Sequence, residues 1–158
     1  MQLPILPLAM LTLTAPMMAQ NFDGLETTSA CYMRVYDSEH LARNPKQTVT
    51  RFFVARRGAG NDFEELPIRV GYTLKGSRDY FQANGRCLRV DTGYSCWLEG
   101  DMGAFTMTRL EKNKMQASLI RMSIEGYYSF SAELTEDDNR VMHLYATGIS
   151  QCGRPRRN

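Results

Sequence analysis

From residue 68 to residue 75, apolar and polar side chains alternate. Ile68, Val70, Tyr72 and Leu74 share one parity; Arg69, Gly71, Thr73 and Lys75 share the other. A period of two is the mark of a strand with one buried face. Residues 48–57 are β-branched and aromatic-rich and predict a second strand, which Gly58-Ala59-Gly60-Asn61-Asp62 breaks. Shorter runs predict strands at 80–83, 86–90, 94–98, 104–110, 115–120, 128–134 and 140–147. Between them stand Asn84-Gly85, Asp91-Thr92-Gly93, Gly100-Asp101-Met102-Gly103, Lys112-Asn113 and Glu136-Asp137-Asp138-Asn139. Each offers Gly, Asn or Asp, the residues that accept positive φ or hydrogen-bond a turn backbone.

Residues 37–44 depart from this pattern and predict a short helix following a first strand. Asp37 or Ser38 caps its start, acids occupy its first turn, Arg43 suits its C-terminal dipole and Pro45 stops it. The chain therefore reads as all-β, with one short helix near the N-terminus. It predicts an antiparallel meander of about eight to ten strands, closing into a barrel-like or sandwich domain. Connections short enough for hairpins favour the barrel.

Residues 1–19 carry no charge, and their apolar run from Ile5 to Leu13 is interrupted at Pro16. That run is too short for a bilayer, which takes about 20 apolar residues. It predicts a secretory signal cut after Ala19, a single β domain over 20–152 and a basic C-terminal tail over 153–158. Ser29-Ala30-Cys31 has the look of a lipid-anchor site, but the polar stretch with Asp23 and Glu26 separates it from the apolar run. The expected location is periplasmic or secreted, with no membrane span.

The net charge of +2 comes from Arg154, Arg156 and Arg157 in the tail; without them the balance is slightly negative. A nucleic-acid binder carries its basic face on the folded body, so no nucleic-acid partner is expected.

Four cysteines, Cys31, Cys87, Cys96 and Cys152, all follow the signal, an even number suited to disulfides in an exported chain. Zinc is disfavoured because no close CxxC pair exists. Cys87 and Cys96 flank Asp91-Thr92-Gly93, and a hairpin there sets them on nearly the same rung. Cys31 and Cys152 then pair by exclusion. That bond requires the first and last strands to be neighbours, as they are in a closed barrel.

Tyr36-Asp37, His40-Leu41, Pro45, Gln47 and Val49 form one group of residues with a wider likeness. Asp101-Met102-Gly103-Ala104-Phe105 and Asp137-Asp138-Asn139-Arg140-Val141 form two more. Together they resemble an uncharacterised family of small exported all-β proteins of proteobacteria. The resemblance implies export and carries no activity or site residue with it.

Candidate chemistry is sparse. No GxSxG elbow, HExxH or phosphate-cradling glycine loop occurs, and no catalytic residue, cofactor or metal site is expected. Glu136-Asp137-Asp138-Asn139 lacks calcium-loop spacing and reads as a solvated turn. Of the two histidines, His143 reads as a strand residue. Asp37 and His40, three apart on a helix and therefore neighbours, are the weak functional candidates. Tyr127, Tyr128, Phe130 and Trp97 read as core, or alternatively as a ligand or partner surface. The expected function is a non-enzymatic module that binds an envelope or secreted protein. The alternatives are a barrel carrying a small apolar ligand, and a hydrolase with an unrecognised carboxylate pair.

Overall fold

A computed structural model describes residues 24–58, 65–136 and 138–154. The expected signal over 1–19 and residues 20–23, 59–64, 137 and 155–158 lie outside the described residues. Strands β1 (Cys31–Val35), β2 (Val49–Arg56), β3 (Glu65–Leu74), β4 (Tyr80–Val90), β5 (Gly93–Leu98), β6 (Gly103–Glu111), β7 (Lys114–Met122) and β8 (Val141–Ala146) follow in chain order, with helix α1 (Ser38–Arg43) between β1 and β2. Each strand pairs antiparallel with the next. Tyr32 opposite Ala146 and Met33 opposite Tyr145 join β1 to β8, giving a closed barrel of eight strands. Barrel closure, the all-β class and the short helix agree with the sequence; a sandwich does not form.

Alternation fills the barrel. Phe52, Val54, Val70, Tyr72, Phe81, Phe105, Met107 and Met115 turn inward with at most 1% exposure. Tyr72 stacks between Phe52, at 6.2 Å, and Phe81, at 5.2 Å. Burying large apolar side chains at about 25 cal/mol per Å² is the main force closing the sheet.

Two expectations need correction. Asn84-Gly85 is not a turn: β4 runs through it, with Gly85 opposite Ile68 on one side and Leu98 on the other. A Cβ on Gly85 would lie 2.3 Å from the Trp97 carbonyl oxygen, so glycine serves close strand approach rather than reversal. Residues 128–134 are not a strand either. β7 already pairs with β6 and β8, and the closed barrel leaves no edge to receive them. The connection over 123–140 instead folds across one end of the barrel. Ile124, Ser131, Leu134 and Asn139 are buried there. The Tyr72 hydroxyl meets Ser131 Oγ at 2.5 Å and accepts from the Ile124 N–H at 3.2 Å. Burial pushes that phenol up to about 12 despite these bonds. Leu134 N–H donates to the Met122 carbonyl at 3.0 Å, and Met122 N–H donates to Glu133 Oε1 at 2.7 Å.

Both expected disulfides are present. Cys87 and Cys96 are register partners with Cα atoms 4.0 Å apart, inside the barrel. Cys31 and Cys152 bridge 121 positions with Cα atoms 6.0 Å apart. The second bond anchors a small core outside the barrel, where Phe53 and Ala55 of β2 are fully buried beside Cys31 and Cys152. Arginines fasten the C-terminal segment over it. Arg51 Nη1 donates to the Gly153 carbonyl at 2.7 Å and Arg69 Nη2 to the Cys152 carbonyl at 2.7 Å, while Arg51 Nη2 also bonds the Gln151 carbonyl. Both guanidiniums lie over the Phe53 ring.

Candidate functional site

The end connection carries a tight hairpin. Glu125 bridges Phe130, and Gly126 N–H donates to the Ser129 carbonyl at 2.7 Å, leaving Tyr127 and Tyr128 at the tip. Asp79, between β3 and β4, holds this turn from below. Its carboxylate accepts from Tyr128 N–H at 3.1 Å and from Ser129 Oγ at 2.7 Å. Burial acts to raise the Asp79 carboxyl. Hydrogen bonds from Ser129 and from the backbone of residues 127–129 outweigh it and leave the group below its ordinary value. Gly126 makes the approach possible, because a Cβ there would lie 2.7 Å from Asp79 Oδ2 and 2.8 Å from Phe81.

The tip is exposed where the rest of the hairpin is fixed. Tyr127 is 85% exposed, Tyr128 74% and Phe130 67%. The two tyrosine rings meet edge to face at 4.7 Å. A cleft of about 340 Å³ separates them from Arg78, Tyr80 and Arg154. Its Tyr80 side chain stacks on Phe53 at 6.5 Å and donates to Gln82 Oε1 at 2.9 Å, so the cleft rests on the disulfide-anchored outer core.

The depressed Asp79 carboxyl makes hairpin order pH-dependent. A group with a lowered folded-state value contributes fully above its unfolded value, here the ordinary 3.8, and loses that contribution as pH falls through the lower folded value. Protection of the Tyr128 amide, measured against its intrinsic exchange rate at each pH, should therefore be high at neutral pH and fall only in strong acid. Asp79→Ala should remove that protection at neutral pH and converge with the wild type in strong acid; unchanged protection in the variant at neutral pH would contradict the anchoring role.

Asp37 lies at the start of α1, where its Oδ1 accepts from His40 N–H at 2.7 Å as the helix cap. The two residues thus meet through the backbone, while the His40 ring packs on Tyr36 at 4.8 Å. The fold also brings His40 and His143 to the same groove, which holds about 460 Å³. Sequence spacing carried no sign of that proximity. Among the described residues no three His, Cys, Asp or Glu side chains stand where they would hold a metal ion. Asn139, read as part of a solvated turn, is 2% exposed and bonds the start of β2. Trp97 is half-buried, with Cys96 beside it turned into the barrel. Asp79, Gly126 and Arg78 had no signal of their own. The nearest clue was adjacent tyrosines following a glycine in a segment with no strand to pair with.

Fold and site together define a closed antiparallel eight-stranded barrel that presents an anchored aromatic hairpin at one end. Comparisons with protein families, with curated proteins and with solved structures find no match.

Proposed function

We propose that this chain is an exported, non-enzymatic interaction module that recognises a protein partner through the Tyr127–Tyr128 hairpin. The observation that carries the reading is the contrast between exposure and anchoring. Two tyrosines and a phenylalanine stand mostly in solvent on a turn tied to a buried carboxylate. Rigid aromatic side chains bury large area at small entropic cost on binding, and they dominate the energetics of protein interfaces. Arg78 and Arg154 flank the tip, and Asp79, the one carboxylate among the described residues of the cleft, is taken up by the turn. A partner offering an apolar recess rimmed by acidic side chains complements that surface.

The filled interior favours this reading over that of a carrier, since side chains occupy the space an apolar ligand would need. Export is supported by the two disulfides and by the signal-like start. Among the described residues, no helix is long and apolar enough to cross a membrane.

Affinity enrichment from an envelope extract tests the proposal. The wild-type protein should retain a defined partner that Tyr127→Ala/Tyr128→Ala loses by at least about 30-fold, the scale of a hot-spot residue. Retention of the same partner by the double variant would overturn it.

A further inference from the structure

The groove between α1 and β8 is separate from the hairpin, and its chemistry is different. Arg34 at the end of β1, Tyr36, His40 of α1, Arg140, and His143 and Tyr145 of β8 line it. We propose that this groove binds a small organic anion: a carboxylate or phosphate head group on a body that lies against the tyrosine rings.

Charge is the first reason. Two guanidiniums face one carboxylate, that of Asp138, among the described lining residues, and two imidazoles stand beside them. The guanidiniums are also unspent. Among the described residues the ion pairs join Arg43 to Glu39, Arg86 to Glu65, Arg89 to Glu26 and Lys114 to Glu111. Neither Arg34 nor Arg140 takes part in one.

Arg34 is moreover preorganised. Its guanidinium carbon lies 5.2 Å from the Tyr36 ring centroid and 5.5 Å from that of Tyr145. Contacts to ring faces hold a guanidinium in place without using its in-plane N–H groups, which match the two oxygens of a carboxylate or phosphate. Less side-chain freedom is then lost on binding.

Size gives the third reason. About 460 Å³ falls within the range of small-molecule sites and exceeds the need of a bare oxyanion. The surplus space is bordered by Tyr36, His40 and Tyr145, so the ligand has an organic body.

Citrate and glucose 6-phosphate are suitable probes, with glucose as the neutral reference, titrated into the mature protein and followed by NMR. At least one anion should saturate and move the His40, His143 and Tyr145 signals, whereas glucose should not. Response to citrate alone assigns a carboxylate, to glucose 6-phosphate alone a phosphate, and to both the shared oxyanion chemistry. Arg34→Gln and Arg140→Gln should each weaken binding by about 10-fold or more, as loss of a charged hydrogen bond does. Leu88→Ser, an exposed position on β4 across the barrel from β8, should leave it intact. Arg140 is exposed, so its variant remains informative even if Arg34→Gln disturbs folding. No saturable shift with either anion would overturn the proposal, as would unweakened binding in Arg140→Gln. Binding of an acidic peptide in place of both small anions would also overturn it.

Discussion

Replacing Cys31 and Cys152 together by serine is expected to lower unfolding stability by about 4–5 kcal/mol. The bond closes a loop of 121 positions, and the entropy it removes from the unfolded chain grows with the logarithm of loop length. Its local setting adds to the loss. Cys152 covers Phe53 and Ala55, and without the bond the C-terminal segment is left over this apolar patch on hydrogen bonds such as those from Arg51 and Arg69 to its carbonyls. Serine at 87 and 96 should cost less, about 2.5 kcal/mol, because that loop spans 9 positions between strands already paired. Urea unfolding of both double variants gives the comparison. A larger loss for the short loop would contradict the view that the long bond fastens the barrel seam and its outer core.

Asn139→Ala should lower stability by about 2–3 kcal/mol, the cost of leaving one buried and one part-buried N–H without an acceptor. Asn139 Oδ1 accepts from Thr48 N–H at 3.0 Å and Val49 N–H at 2.9 Å, and its Nδ2 donates to Thr48 Oγ1 at 2.8 Å. One side chain thereby ties the end connection to the first residues of β2. Asn139→Asp keeps the acceptor and should lose less than alanine. Unfolding curves, with amide exchange at residues 48 and 49, provide the check; a loss under about 1 kcal/mol for alanine would contradict the assignment.

Legibility in the sequence followed the physics of each element. β3 was plain because a half-buried strand alternates, and Ile68, Val70 and Tyr72 do so. The helix was plain because Asp37 caps it and Pro45 follows it. Both disulfides followed from hairpin geometry and exclusion. β2 read as a strand, but its unbroken run of burial has a cause no local pattern reveals. Phe53 and Ala55 face outward and are covered by a segment about 100 residues away. Gly85 misled because a glycine needed for close packing looks like a glycine needed for a turn. Residues 128–134 carry the aromatic, alternating pattern of a strand, but pairing also requires a free edge, and the closed barrel has none. The site was least legible of all. Asp79 and Gly126 are 47 positions apart, and only the fold sets the carboxylate beneath the turn. Nor did composition tell core aromatics from exposed ones: Phe81 and Phe130 look alike in sequence, yet are 1% and 67% exposed.

Recognition of a protein through the tyrosine tip is tested most directly by site-specific photo-crosslinking in living cells. A photoreactive phenylalanine placed at 127 or 128 should trap one defined protein adduct, whereas the same residue at Leu110, also exposed but at the far end of the barrel, should not. The adduct at 127 should disappear in an Asp79→Ala background, where the turn is no longer held. Equal adducts from 127, 128 and 110, or none from the tip while 110 crosslinks, would contradict the account.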